Sequence, residues 1–338
     1  ISDMQDVISN YDPLDKTILM YGAPGVGKTS IIDAVLNDPA SRYEHLITLR
    51  PSQLEPSDFA LPVYDRDTKS VDMVSNSILP TLKNTILFVD EFGQGGRSIQ
   101  KPLMQLLNAG ERGLGNHYRL PDDCLTIAAT NRVEDRSGVE KMLAAMSERF
   151  CHIDVQPDMK KWCVWAIQND IPTEIVAYVR FNPSAFDDFD FTRRTNPNPR
   201  NWVFAGKAIR KGYTQRVLEV MLSGIIGEEQ ATNLIAFLNI WGTLPSLDEI
   251  ARNPLTAPLP DGDGSAGTHY AIAGAIANAA NRDNFGTFVQ YLNRLSKEFE
   301  VFSVQTMTDK HRGNGEYEKF VTNKSYVNWC VENQDVIL

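Results

Sequence analysis

The chain has 338 residues, 42% of them hydrophobic, so it is long enough to bury a sizeable core in two or three domains. It carries 43 acidic against 33 basic residues, a net charge of -10, which disfavours a broad basic face for duplex DNA and leaves room only for a local basic channel. No stretch approaches about 18 uninterrupted apolar residues, and the cysteines lack C-x-x-C spacing. We therefore expect a cytoplasmic protein without a membrane span, a disulfide framework or a zinc site.

Five short apolar runs rich in β-branched residues divide the first half of the chain. They are TILMYG from position 17, HLITLR from 45, TILFVDE from 85, LTIAATN from 125 and CHIDV from 151. Their nearly continuous apolar character is typical of strands covered on both faces, and the segments between them, such as SIIDAVL and SIQKPLMQLLNAG, have helical spacing. This alternation predicts an α/β fold, an αβα core around a parallel five-stranded sheet.

The second half of the chain has helical patterns only. WCVWAIQ, EIVAYVRF, NWVFAGKAIRKG and EVMLSGIIG follow one another, and a segment rich in Pro, Gly and Asp separates them from a further helical tail. We predict a core over residues 1–157, a helical lid domain over 158–252, and a linker with a C-terminal helical extension over 253–338.

A glycine-rich segment, GAPGVGKTS, joins the first predicted strand to the first predicted helix. It has the G-x-x-x-x-G-K-[ST] spacing of a P-loop, in which backbone N–H groups and a helix N-terminus surround phosphate oxygens. In such a loop Lys28 neutralises the β- and γ-phosphates of ATP, and the Thr29 hydroxyl is a ligand of Mg²⁺. The candidate nucleotide-binding residues are Gly22, Ala23, Pro24, Gly25, Val26, Gly27, Lys28, Thr29 and Ser30.

Two carboxylates, Asp90 and Glu91, end the run TILFVDE. In open α/β sheets ligands bind at the carboxyl ends of the strands, so both side chains are expected near the glycine-rich loop. Asp90 is a candidate ligand of Mg²⁺, directly or through water, and Glu91 is a candidate general base that polarises the attacking water. An acidic strand end alone often only meets solvent, but together with the loop it predicts hydrolysis of ATP.

Three further polar residues occupy positions that suit catalysis. Asn131 ends the next strand, where its amide could orient water or contact the γ-phosphate, although such an Asn is often a turn residue. Arg149 ends a short helix, where an Arg is usually a solvated charge or a partner of the helix dipole. Arg200 follows Pro199 at a predicted helix start, an unfavourable place for a cation, which suggests a role beyond a surface salt bridge.

These motifs, in this order, resemble the AAA+ superfamily of ATPases, and their details are similar to its MoxR branch. The resemblance spans roughly residues 14 to 245 and rests on the combination of motifs, including LEPSDFALP after the second strand and AGERGLGNHYRLP as an inserted hairpin. Where relatives often have Asn-Arg after the catalytic Glu, this chain has Gly93 and Gln94. The matching positions are Gly22 to Thr29 as Walker A, Asp90 and Glu91 as Walker B, Asn131 as sensor 1, Arg149 as arginine finger and Arg200 as sensor 2.

The resemblance implies ATP and Mg²⁺ bound between core and lid, with Arg149 supplied by a neighbouring subunit of a ring, commonly a hexamer. It also implies chaperone-like remodelling of a protein partner, for which MoxR relatives often use a companion with a von Willebrand A domain. A nucleic-acid motor, such as a helicase or loader, is the first alternative, and the net charge of -10 opposes it. A nucleotide-dependent assembly switch is the second, and Glu91 opposes it.

The inserted hairpin bears on the choice between a protein partner and nucleic acid. Its cations Arg112 and Arg119, with His117, flank Leu114 and Tyr118. Two cations and an aromatic ring could grip a single strand. The same hairpin could equally present Leu114 and Tyr118 to a polypeptide. The preference for a protein partner rests mainly on the family resemblance, with the overall negative charge as a further argument against nucleic acid. The sequence leaves the direction of these side chains open.

Overall fold

A computed structural model of the protein describes residues 2–132, 135, 142, 144–242, 244–260, 266–313 and 315–337. The chain divides into two compact units, Ile1–Gln156 and Pro157–Leu338, called here the first and second units. The further division of the second unit at Asn253 into a lid and an extension stays a prediction. Within the described residues no helix is both long and apolar enough to cross a membrane.

The first unit contains all the strands that the structure describes. Its elements in chain order are α1 (Ser2–Asn10), β1 (Thr17–Tyr21), α2 (Lys28–Leu36), β2 (His45–Leu49), β3 (Ala60–Asp65), β4 (Ser70–Ser75), β5 (Thr85–Val89), α3 (Arg97–Leu106), β6 (Gly113–Leu114), β7 (Tyr118–Arg119), β8 (Leu125–Thr130), α4 (Ala144–Ser147) and β9 (Phe150–Asp154).

The main sheet has five parallel strands in the order β2-β5-β8-β1-β9. The predicted parallel sheet is therefore confirmed, with each strand at its expected apolar run. Successive residues of β1 face opposite sides: Leu19 packs in a cluster with Leu103 of α3, and Ile18 in a cluster with Ile31 of α2. Helices thus cover both faces of the sheet, which explains why its central strands β5, β8 and β1 are almost wholly buried and apolar. The edge strands β2 and β9 are less buried and expose His45 and His152.

The strand order decides where the candidate site lies. β5, β8 and β1 are consecutive in the sheet, and because they are parallel their carboxyl ends meet at one edge. Gly22 follows β1, Asp90 follows β5 and Asn131 follows β8. The sheet therefore brings three segments that are far apart in sequence to one place.

A second, two-stranded sheet was not expected from the sequence. β3 and β4 form an antiparallel hairpin in which Tyr64 pairs with Val71 and Pro62 pairs with Met73. Its apolar side chains are exposed on both faces; Tyr64 and Val71, for example, are 60% and 61% exposed. Because neither face is covered, the residues show no alternation of apolar and polar character, which is the usual signal of a half-buried strand.

The predicted inserted hairpin is present as β6 and β7, which pair antiparallel, and the structure decides the direction of its side chains that the sequence left open. Arg112 is only 2% exposed, and Leu114 is buried as well. The Tyr118 hydroxyl donates a hydrogen bond to the carbonyl of Pro80, whereas Arg119 is exposed and lies 3.9 Å from Asp122. The idea that Arg112 and Leu114 face a bound strand or polypeptide is therefore wrong, because both belong to the interior of the first unit.

The second unit is helical, as predicted. One hydrophobic core includes Tyr178, Trp202, Ile272 and Trp329, so the helices before and after residue 253 pack together. The predicted linker falls mainly between α10 and α11, with residues 261–265 outside the described ones. The helices are α5 (Met159–Gln168), α6 (Thr173–Phe181), α7 (Pro199–Arg210), α8 (Gln215–Ile226), α9 (Glu228–Gly242), α10 (Leu247–Arg252), α11 (Ala266–Ala279), α12 (Phe285–Leu292), α13 (Lys297–Gly313), α14 (Tyr317–Val321), α15 (Lys324–Glu332) and α16 (Gln334–Ile337).

Candidate nucleotide site

The glycine-rich loop curls between β1 and α2 because glycines occupy its left-handed positions. Gly25 and Gly27 have φ angles of 84° and 103°, a region that side chains disfavour, and Gly27 is the N-cap of α2. A Cβ on Gly22 would lie 2.8 Å from the carbonyl oxygen of Val155, so a side chain there would displace the loop. The first N–H groups of a helix have no acceptor within the helix, so the start of α2 and its dipole make this loop a ready site for phosphate.

Lys28 lies at the mouth of this loop. Its ammonium donates hydrogen bonds to the carbonyls of Gly22 and Ala23, at 2.7 and 3.1 Å, and to Oδ1 of Asn131 at 2.9 Å. Asn131 is 103 residues away in sequence, so this contact exists only because β8 is the neighbour of β1. The predicted P-loop lysine and the predicted sensor amide therefore share one hydrogen-bonded cluster.

The two candidate magnesium ligands also meet. The Thr29 hydroxyl donates to Oδ2 of Asp90 at a distance of 3.4 Å. In an octahedral magnesium site, with bonds of about 2.1 Å, adjacent ligand oxygens lie about 3 Å apart, so these two oxygens fit one ion after a small adjustment. A hydroxyl and a carboxylate, with places left for phosphate oxygens and water, are the donor set that Mg²⁺ prefers.

Glu91 occupies an unusual backbone conformation. Its φ angle is 56°, in the left-handed region that costs a residue with a side chain about 1–2 kcal/mol. Its N–H donates to Oδ1 of Asp90 at 3.1 Å, so the first carboxylate supports the turn that directs the second. Strained backbone of this kind concentrates at functional sites, which is consistent with the predicted catalytic role of Glu91.

Arg149 is not joined to this cluster. It is exposed in the turn between α4 and β9, and in the part of the chain that the structure describes it makes no side-chain hydrogen bond or ion pair. Its own backbone N–H donates to the carbonyl of Met146 at 3.2 Å. A guanidinium on a short, exposed turn is accessible to another molecule, as the predicted role in a neighbouring site requires.

His152 supports the turn that carries Arg149, and the sequence analysis missed it. Its Nε2 lies 2.8 Å from the carbonyl oxygen and 3.1 Å from the hydroxyl of Ser147, and its ring stacks on Tyr21 with centroids 5.6 Å apart. The only sequence signal is a histidine on the strand that follows a candidate arginine finger. The sequence alone could not assign this role to His152, because the stacking of its ring on Tyr21 depends on the pairing of β1 with β9.

Arg200 belongs to the second unit. It follows Pro199 in the first turn of α7 and is exposed. The Asn198 side chain caps this helix by accepting the N–H of Asn201 at 2.9 Å, so the helix start needs no cation for its stability. The predicted contact of Arg200 with nucleotide stays a prediction.

Comparison with known proteins identifies part of the chain. Residues 18–153 match the family model of the ATPase family associated with various cellular activities (AAA), and no curated protein matches. A Cytophaga hutchinsonii structure provisionally named an ATPase covers 95% of this chain and 88% of its own, at 12% identity and a TM-score of 0.34. A RuvB variant from Thermotoga maritima covers 87% and 85%, at 16% identity and a TM-score of 0.38.

Neither structural score reaches 0.5, so the assignment rests on the family match and on the site. The matched segment runs from β1 to β9 and contains the glycine-rich loop, both carboxylates and Asn131. Residues 18–153 therefore form an AAA-type ATPase domain, and this protein is an enzyme that hydrolyses ATP.

Proposed function

We propose that this protein is a Mg²⁺-dependent ATPase of the MoxR type that forms a ring and remodels a protein partner. The observation that supports it most directly is the cluster of Lys28, Thr29, Asp90 and Asn131 at the carboxyl edge of the sheet. A P-loop with one carboxylate suffices to bind nucleotide. The adjacent Glu91 adds the general base that turnover requires.

In this proposal each residue has a distinct task. The loop from Gly22 to Ser30 holds the phosphates through backbone N–H groups, and Thr29 and Asp90 hold Mg²⁺. The ion neutralises charge on the transferring phosphoryl group. Glu91 polarises the attacking water, and Asn131 orients that water or the γ-phosphate while it positions the Lys28 ammonium.

The proposal of a ring rests on Arg149. Its exposed guanidinium makes no ion pair within the described part of the chain, so it is available to stabilise transition-state charge in the site of a neighbouring subunit. Arg200 of the second unit is proposed to act as sensor 2 by contacting the bound ATP. A closed ring places every Arg149 against a neighbour, and a hexamer is the size that the MoxR resemblance suggests.

A protein partner suits the exposed surface better than nucleic acid does. The β3–β4 hairpin exposes apolar side chains on both faces, which a polypeptide can cover but a phosphate backbone cannot. The inserted hairpin is the segment whose sequence best suits a nucleic-acid strand, but only one of its two arginines is exposed, because Arg112 is buried. A companion with a von Willebrand A domain and a cytoplasmic location remain proposals from the sequence.

The first experiment tests the nucleotide site. Lys28→Ala should abolish tight ATP binding, and Glu91→Gln should bind ATP but hydrolyse it at least about a hundredfold more slowly, as loss of a general base implies. Lys101→Ala is the control, because Lys101 is an exposed cation of α3. Equal ATP affinity of wild type and Lys28→Ala by calorimetry would refute the site.

The second experiment tests the ring. Arg149→Ala and Glu91→Gln should each be inactive alone and recover part of the activity when mixed, because a mixed ring contains interfaces with both groups intact. Sedimentation with ATP measures the assembly directly. Full turnover by a strict monomer would exclude a finger supplied by a neighbour.

The third experiment tests the partner class. Glu91→Gln loaded with ATP should retain a protein partner in a pull-down, and that partner should change the ATPase rate of the wild type more than DNA or RNA does. Tyr64→Ser with Val71→Ser should reduce this effect, whereas Val220→Ser on α8, which removes an apolar side chain that is 68% exposed, should not. A tenfold stimulation by nucleic acid with a steep salt dependence, which about six to ten phosphate contacts would produce, would favour the motor instead.

A further inference from the structure

Two adjoining cavities lie among α5, α6, α11 and α13 of the second unit. One has a volume of about 610 Å³ and the other about 570 Å³, and Lys160, Arg180, Tyr270 and Gln305 line both. The two cavities adjoin at these shared residues, and together they are called here the α13 groove. Each cavity has the volume of a typical ligand site, and neither contains a residue of the nucleotide site.

The α13 groove is positive although the chain is strongly negative. Four cations line it, against two carboxylates, whereas the whole chain has a net charge of -10. The exposed Lys160 makes no ion pair within the described residues. A trough of this sign concentrates anionic partners even on an acidic protein, because nearby charges dominate the local potential. The cations are Lys160, Arg180, Lys297 and Arg312, and the carboxylates are Glu298 and Asp309.

Both arginines of the groove are held by aromatic rings. The Arg180 guanidinium lies 4.9 Å above the centre of the Phe302 ring, and that of Arg312 lies 4.8 Å above Tyr317. A guanidinium that stacks on a ring still has its N–H groups directed outward in its own plane, so it can donate two parallel hydrogen bonds to the oxygens of a carboxylate. The same stacking covers these ring faces, so nucleic-acid bases cannot stack on them.

The carboxylates of the groove are already engaged. The carboxylate of Asp309 lies 3.6 Å from the guanidinium of Arg312. Burial raises the pKa of Asp309, and the positive charges of Arg180 and Arg312 lower it by a smaller amount. Glu298 accepts a hydrogen bond from the Tyr270 hydroxyl. Lys297 is paired with Glu300 at 2.8 Å. The cations left to meet a ligand are therefore mainly Lys160 and Arg180, which both cavities share, and the exposed Glu298 is the one lining carboxylate that no cation pairs with among the described residues.

We propose that the α13 groove binds an acidic peptide segment of a partner protein. A single small anion would occupy one cavity only, whereas two adjoining cavities that share the cations Lys160 and Arg180 suit consecutive side chains of an extended peptide. The apolar lining of Val301, Phe302 and Val304 covers the less polar part of such a peptide. The proposal extends the remodelling function to a docking site, but it does not depend on ATP hydrolysis.

Fluorescence anisotropy without nucleotide tests the proposal on the full chain. The probe is a short fluorescein-labelled peptide of alternating glutamate and glycine, and the same peptide with glutamine is the comparison. Lys160→Gln and Arg180→Gln should each weaken binding of the glutamate peptide by about tenfold, the loss expected when a charge-assisted hydrogen bond is removed. Arg216→Gln is the matched control, because Arg216 is an exposed cation of α8 outside both cavities.

The outcomes separate this site from the nucleotide site. Lys28→Ala should bind the peptide as the wild type does, so a failure of the ATP experiments leaves this result unaffected. If Arg180→Gln fails to fold, Lys160→Gln alone tests the proposal, because the Lys160 side chain is exposed and its replacement should not disturb the core. The proposal is overturned if the glutamine peptide binds as tightly as the glutamate peptide, or if Lys160→Gln and Arg216→Gln lose the same affinity. It is also overturned if glutarate binds as tightly as the glutamate peptide, or if single-stranded DNA competes as effectively as the unlabelled glutamate peptide.

Discussion

Replacement of the buried Arg112 by methionine should destabilise the first unit selectively. Arg112 donates three hydrogen bonds to backbone carbonyls: to Pro13 at 2.6 Å, to Pro121 at 3.0 Å and to Cys124 at 2.6 Å. These carbonyls belong to the segment before β1 and to the segment before β8. A single side chain therefore fixes the starts of two strands whose other ends carry Gly22 and Asn131.

The magnitude follows from what methionine cannot replace. The buried carbonyls of Pro13 and Cys124 lose this donor, and each buried acceptor left without a partner costs about 1–3 kcal/mol, whereas the carbonyl of Pro121 still accepts the N–H of Cys124 at 3.0 Å. Part of this is recovered, because burial disfavours the charged guanidinium and lowers the pKa of Arg112, and methionine fills most of the space left by the arginine stem. We expect a net loss of about 3 kcal/mol in the free energy of unfolding of the first unit.

Hydrogen exchange of the full chain measures this loss. All five tryptophans lie beyond residue 157, so tryptophan fluorescence in urea reports on the second unit alone and should not change. Amides of β1 and β8 should exchange about a hundredfold faster, which corresponds to about 3 kcal/mol. Arg119→Met is the control, because the Arg119 side chain is 71% exposed. Equal exchange in the two variants would refute the structural role of Arg112.

Three further predictions concern the site and its surroundings. His152→Phe keeps a ring on Tyr21 but loses the contact that holds the turn before the arginine finger, so ATP turnover should fall about fivefold at unchanged nucleotide affinity; an unchanged rate contradicts this. Gly22→Ala should weaken ATP binding, whereas Gly96→Ala, whose Cβ meets nothing within 4 Å, should not, by calorimetry. Burial raises the pKa of the Cys124 thiol to about 11, so iodoacetamide should label the half-buried Cys151 before Cys124. Mass spectrometry measures the order of labelling, and labelling of Cys124 before Cys151 would contradict the prediction.

The sequence predicted the architecture of the first unit because its signals are local. Continuous apolar runs with helical segments between them require strands that are buried on both faces, and a parallel sheet is the fold that provides such burial. The loop from Gly22 to Ser30, the pair Asp90 and Glu91, and Asn131 directly follow strands, so the common edge of a parallel sheet was enough to predict that they meet. The roles of Arg149 and Arg200 rest on motif order, and they stay predictions.

Tertiary structure decided what depends on contacts between distant residues. By residue type Arg112 is expected to be a surface cation, and its burial is favourable only because the fold places the carbonyls of Pro13, Pro121 and Cys124 within hydrogen-bond distance of its guanidinium. The β3–β4 hairpin carries apolar residues on both faces, so periodicity could not separate it from a loop. The α13 groove exists because helices separated by more than a hundred residues pack around Arg180 and Lys160. Residue type encodes what a side chain can bind, whereas packing determines which partner it reaches.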